Sequence, residues 1–276
     1  MTALVRYGKS ACLGLLWLAT MGWFVGSMTA CTTTVTTNGV KSDMVTDSDE
    51  PDARKRARIR LELALGYFNN GQTAVALDEV KQSIATDPSL FEAHNLRGLI
   101  YMRLNDVALA EESFKRALSL NPKASTIEQN YGWLLCQQPS RLTESYQHFS
   151  NALANPVYGD RAKTWLTLGL CQQKGGLRAE AEASLLRAYE LDAGNPHTGF
   201  NLATLALQRR DYVRAQFYVR RINNSELATA DSLWLGIKIE RQLGNRDGMA
   251  QLGGQLKKRF PQSLELSAYE RSAFDE

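Results

Sequence analysis

Histidine is scarce in this chain of 276 residues: only three are present, and His94, His148 and His197 are too scattered for metal-ligand spacing. They read as ordinary surface or core histidines. Also missing are an HExxH pair, a G-x-S-x-G elbow, a glycine-rich phosphate loop and an H-x-E with C-x-x-C. The acidic run from Asp43 to Asp52 lacks the glycine and the closing glutamate of a calcium loop, and Glu111-Glu112 reads as the solvent face of a helix. The expectation is therefore a protein that is not an enzyme and takes no metal, cofactor or small-molecule substrate. An excess of one charge sign is missing too. With 32 basic and 29 acidic side chains the formal charge is +3, and Arg6 and Lys9 lie in a segment expected to be removed. So neutral a body lacks the basic stripe that nucleic acid requires. Apolar content of 44% is ample for a sizeable core.

The N-terminus has the form of an export signal over residues 1–30: Arg6 and Lys9 supply charge, and Ala11 to Val25 form an uncharged apolar stretch. It ends in Met28-Thr29-Ala30-Cys31, which resembles the bacterial lipobox, with Met28 where leucine is usual. The reading is lipidation of Cys31. An uncleaved anchor, or a cleaved signal that leaves Cys31 as a thiol, is the alternative. Each buried methylene contributes about 0.8 kcal/mol, so two or three acyl chains anchor stably where one does not. Thr32 stands where inner-membrane lipoproteins tend to carry Asp, which favours the outer membrane, facing the periplasm. Residues 31–55, rich in Thr, Ser and Asp, read as a flexible tether.

Beyond the tether the chain repeats itself. Pro88, Pro122 and Pro156 recur every 34 residues, and small residues keep step at Ala76, Ala110, Ser145, Ala181, Ala215 and Ala250. That is the tetratricopeptide period. Breakers fall at Asn70-Gly71, Asn105-Asp106, Pro139-Ser140, Gly175-Gly176, Arg210-Asp211 and Gly244-Asn245, one turn per helix pair. The prediction is an all-α superhelical solenoid of about six helix-turn-helix repeats over residues 57–262, with units at 57–90, 91–124, 125–160, 161–195, 196–229 and 230–262. A short segment, 263–276, follows. An additional residue is expected in the third unit's turn, near Pro139.

Cys136 and Cys171 stand one repeat apart, late in adjacent first helices. Their thiols are within reach of a disulfide in an oxidising compartment, or are simply two buried small side chains. Neither role is catalytic. First helices line the concave groove of such folds, which marks Leu61, Leu65, Phe68, Asn95, Leu99, Met102, Gln129 and Trp133 as candidates for partner binding. The set is largely apolar and differs from the Lys, Arg and Asn that clamp a free carboxylate. It predicts an apolar or amphipathic segment as ligand, bound as a helix or extended peptide. Packing between repeats is the competing role for Leu65, Leu99 and Trp133.

Several runs are more specific than the period: Asn130-Tyr131-Gly132-Trp133-Leu134-Leu135-Cys136, Ala152-Leu153-Ala154-Asn155-Pro156-Val157-Tyr158, Gly169-Leu170-Cys171, Ser232-Leu233-Trp234-Leu235-Gly236-Ile237 and Arg259-Phe260-Pro261. Together with the lipobox and the repeats, they resemble the PilW/PilF family of type IV pilus biogenesis lipoproteins. The resemblance implies a pilotin-like, outer-membrane, protein-binding factor that helps the pilus secretin reach the outer membrane and form its multimer. The implied partner is that secretin or another pilus assembly protein. Two readings from other classes compete: an envelope scaffold that docks peptidoglycan enzymes, and a subunit of an outer-membrane protein assembly machine.

Overall fold

The computed structural model describes residues 50–274, and among these every regular element is helical. The candidate signal, Cys31 and most of the tether lie outside the described residues. Twelve α-helices pair in order: α1 Asp52–Asn69 with α2 Thr73–Thr86, α3 Phe91–Arg103 with α4 Val107–Leu120, and α5 Ser125–Cys136 with α6 Leu142–Leu153. They continue as α7 Arg161–Lys174 with α8 Arg178–Leu191, α9 Pro196–Gln208 with α10 Tyr212–Asn223, and α11 Ala230–Gln242 with α12 Arg246–Arg259. A short α13, Leu264–Glu270, packs on α11 and α12.

One turn geometry, used five times, makes these hairpins. Two residues before the second helix the chain enters the left-handed region: Gly71 (φ 77°), Asn105 (60°), Gly176 (77°), Arg210 (62°) and Gly244 (71°). The next residue then bonds back across the helix end, as Asp106 N–H does to Tyr101 O at 2.9 Å. Asp106, Asp211 and Asn245 complete the turns by accepting from the third amide of the helix that follows. The third hairpin departs from this scheme. Pro139 stands where the other turns use the N–H that bonds back across the helix end, and proline has no N–H to give, so Pro139–Arg141 forms a 3-10 turn instead.

Small residues then let the paired helices approach. Ala76, Ala110, Ser145, Ala181 and Ala215 are all fully buried. The sixth hairpin corrects the expected register: Ala250 is exposed, and the inward stripe of α12 runs through Met249, Leu252, Gly253 and Leu256. Counting from the Asn245 cap, Met249 is the equivalent of Ala215 counted from Asp211. Between the two helices of one hairpin the approach is tight at Gly98, where a Cβ would stand 2.6 Å from the ring of the fully buried Phe114.

The N-terminal end also differs from expectation. Asp52 to Lys55, placed in the tether by composition, form the first turn of α1. Pro51 supplies its carbonyl to the amides of Arg54 and Lys55, and Arg54 pairs with Asp87 at 2.7 Å, which ties that turn to the end of α2. At the other end Ser263 caps α13, which buries Leu266.

The irregular third turn is held by charge. Arg141 grips Glu111 of α4 with two nitrogens, at 2.6 and 3.1 Å, and Tyr131 of α5 donates to the same carboxylate at 3.0 Å. The Arg141 guanidinium, with help from Lys115 and Tyr131 and against the effect of burial, holds the Glu111 carboxyl down at about 2. A carboxyl depressed in the folded state stabilises above its unfolded pKa, and the contribution vanishes as pH falls through the folded value. The size is about 2–3 kcal/mol. Glu111→Gln is therefore expected to lower the urea midpoint at pH 7 and to match the parent chain near pH 2. Equal midpoints at pH 7 would show that the network contributes nothing.

Candidate partner-binding face

The first helices α1, α3, α5 and α7 touch in succession, as do α9 and α11, so residues at matching positions of α1 to α7 form one continuous side. Asn130 of α5 donates to Asn95 of α3 at 3.1 Å, which fixes the register of those two helices.

The eight candidates divide on this surface. Leu65 is 46% exposed and Trp133 39%; they are open apolar side chains. Leu61 and Phe68 are half-buried against the cluster of Ala57, Ala64, Leu96 and Ile100. Phe68 is also covered, because the Arg103 guanidinium lies 3.5 Å from its ring centroid. Leu99 and Met102 are half-buried on the cluster of Phe114, Ile127 and Leu135, so packing between repeats takes much of their surface. Gln129 is a correction. It is only 4% exposed, and its carbonyl accepts from the Tyr158 hydroxyl at 3.0 Å. Tyr158, in the loop before α7, folds back over α5 and takes the amide that was expected to face a ligand.

Two exposed residues on α1 were not anticipated. Ile59 is 58% exposed and Leu63 44%. They lie one turn apart, and the signal was available in their i, i+4 spacing.

The histidines occupy unrelated sites. His94 is buried, its Nε2 3.0 Å from Pro88 O, and burial pushes its imidazole toward the neutral form. His148 meets Glu128 at 2.5 Å, and His197 is exposed. Among the described residues no cluster of three His, Cys, Asp or Glu side chains converges.

Beside the face, a disulfide joins Cys136 at the end of α5 to Cys171 in α7, with Cα atoms 5.8 Å apart. Phe149, Leu153 and Leu168 enclose it, and Lys174 reaches back to Cys136 O at 3.0 Å. No helix of the described residues is long and apolar enough to cross a membrane.

Comparison with known proteins agrees with this architecture. Tetratricopeptide repeat models match residues 61–125 and 162–195. The type IV pilus assembly protein PilF of Pseudomonas aeruginosa is 28% identical over 234 residues, covering 85% of this chain and 91% of that protein. A crystal structure of PilW, described as a widely conserved type IV pilus biogenesis factor, superposes with a TM-score of 0.69 at 32% identity, covering 77% of this chain and 97% of that one. The structure of Pseudomonas aeruginosa PilF gives 0.72 at 27% identity, covering 80% and 100%.

Proposed function

Because the chain belongs to the family of type IV pilus assembly proteins that contains PilF and PilW, we propose that it is a pilotin-like factor that captures the pilus secretin and aids assembly of its multimer. It would do so at the outer membrane, facing the periplasm, held there by acylated Cys31. The observation that carries this reading is the pair of open apolar side chains, Leu65 and Trp133, on the side built by first helices. Exposed leucine and tryptophan cost solvation unless something covers them, and aromatic anchors of this kind dominate binding energies. The ligand is an apolar or amphipathic segment of the secretin, laid along α1, α3 and α5. A tether to lipid then keeps an aggregation-prone partner beside the bilayer it must enter. The array performs no bond-making of its own.

The test is genetic and biochemical together. Deleting the gene is expected to remove secretin multimers and twitching, and affinity capture from detergent-solubilised envelopes is expected to recover the secretin. Multimers at normal abundance in the deletion strain would overturn the proposal. Recovery of peptidoglycan hydrolases or barrel-assembly subunits in place of the secretin would transfer the protein to one of the competing classes.

A further inference from the structure

The second helix of the fifth hairpin, α10, turns Ala215, Tyr218, Val219 and Ile222 inward onto its neighbours α9 and α11. Its opposite face is apolar where it meets solvent: Val213 is 70% exposed and Phe217 62%. Val213, Phe217, Arg220 and Arg221 follow the i, i+4, i+7, i+8 spacing that puts them on one side of the helix. The charge along this stretch has one sign. Arg209, Arg210, Arg214, Arg220 and Arg221 stand between positions 209 and 221 against the single acid Asp211. Glu182 of α8 pairs with Arg209 and Arg214, and Asp211 with Arg214. The exposed guanidinium groups of Arg210, Arg220 and Arg221 have no ion-pair or hydrogen-bond partner among the described residues.

We propose that this face of α10 is a membrane-contact surface, which lays Val213 and Phe217 among the headgroups of an anionic bilayer and gives Arg210, Arg220 and Arg221 to lipid phosphates. The inference rests on the anchored reading above, which puts the array beside a bilayer. Shape favours lipid over protein. The two apolar side chains protrude from a ridge, so a protein would need a fitted hollow to cover them, whereas the headgroup region receives apolar side chains of an amphipathic helix without one. Charge favours an anionic surface, because guanidinium groups bind phosphate oxygens in pairs and each cation near such a surface adds to the attraction. Placement fits as well: the ridge faces away from α9 and α11, so lipid contact there leaves the side built by first helices free for a protein partner. An anchored array that also rests on α10 is held in one orientation.

The probe is the acylated chain in vesicles of phosphatidylcholine, with or without phosphatidylglycerol, carrying an environment-sensitive fluorophore on Val213→Cys. Cys136 and Cys171 are bonded to each other and the anchored reading acylates Cys31, so the new thiol alone takes the label. Nitroxide-bearing lipid is expected to quench it in vesicles with phosphatidylglycerol and to leave it bright in those without. Arg220→Gln together with Arg221→Gln is expected to shift the contact equilibrium toward water about twenty-fivefold, roughly fivefold for each arginine, with far-ultraviolet circular dichroism unchanged. Flotation of the chain with the vesicles reports the anchor separately. A label that stays bright on a floating chain, or quenching indifferent to phosphatidylglycerol and to both arginines, would overturn the proposal and leave the anchored reading standing. Capture of an acidic protein through α10 with the label still bright would likewise reassign the face to a protein partner. A chain that does not float would overturn the anchored reading and this inference with it.

Discussion

Replacing Cys136 and Cys171 by alanine is expected to destabilise the array by about 4 kcal/mol, the chain-entropy value for a closed loop of this length. The two cysteines are 35 residues apart and join the ends of α5 and α7, so the bond spans one whole hairpin. Each hairpin of a repeat array is stabilised mainly by its neighbours. The loss therefore falls on one seam, where Phe149, Leu153 and Leu168 enclose the bridge. Urea unfolding followed by circular dichroism should show a lower midpoint and a broader transition, as the halves on either side begin to melt separately. Reducing the parent chain with dithiothreitol should reproduce the double variant. A midpoint insensitive to both treatments would show that packing alone holds α5 to α7.

The second large effect concerns binding. Leu65→Glu and Trp133→Glu are each expected to weaken secretin capture about thirtyfold or more, which corresponds to the ~2 kcal/mol of an interface anchor. Both side chains are more than a third exposed, so part of each is still packed and each change is expected to lower stability by about 1–2 kcal/mol, less than a fully buried site would lose. Circular dichroism of each variant at the assay temperature separates lost binding from lost fold. Phe68→Glu is a poor substitute, because the new carboxylate would arrive under the Arg103 guanidinium and gain an ion pair there. Met102→Glu would place a charge against the cluster of Phe114, Ile127 and Leu135 and confuse lost binding with lost packing. Unaltered capture by both Leu65→Glu and Trp133→Glu would remove this face from consideration.

The fold was legible because its code is local. Recurrent prolines, small residues in step and turn pairs such as Asn70-Gly71 each specify a few backbone angles, and one hairpin then repeats. The candidate face was legible only in part, because burial depends on residues remote in sequence. Tyr158 closes over Gln129 from 29 residues away, and Arg103 covers Phe68 from 35 residues away; neither partner stands out in a periodic pattern. The register slip from Ala250 to Met249 has a local cause as well as a remote one. Both residues fit a helix, and the Asn245 cap together with the buried stripe of α12 chose between them.

Sequence alone thus determined the helix-hairpin period, the positions of the turns and the family. Each of these rests on short-range backbone preferences and on residue identities that recur in step. Tertiary structure decided which apolar side chains remain open, how Glu111 and Arg141 hold the third turn, and that Phe274 returns to Trp234. Those outcomes are set by three-dimensional competition for the same surface, and the nearest competitor in space is rarely the nearest along the chain.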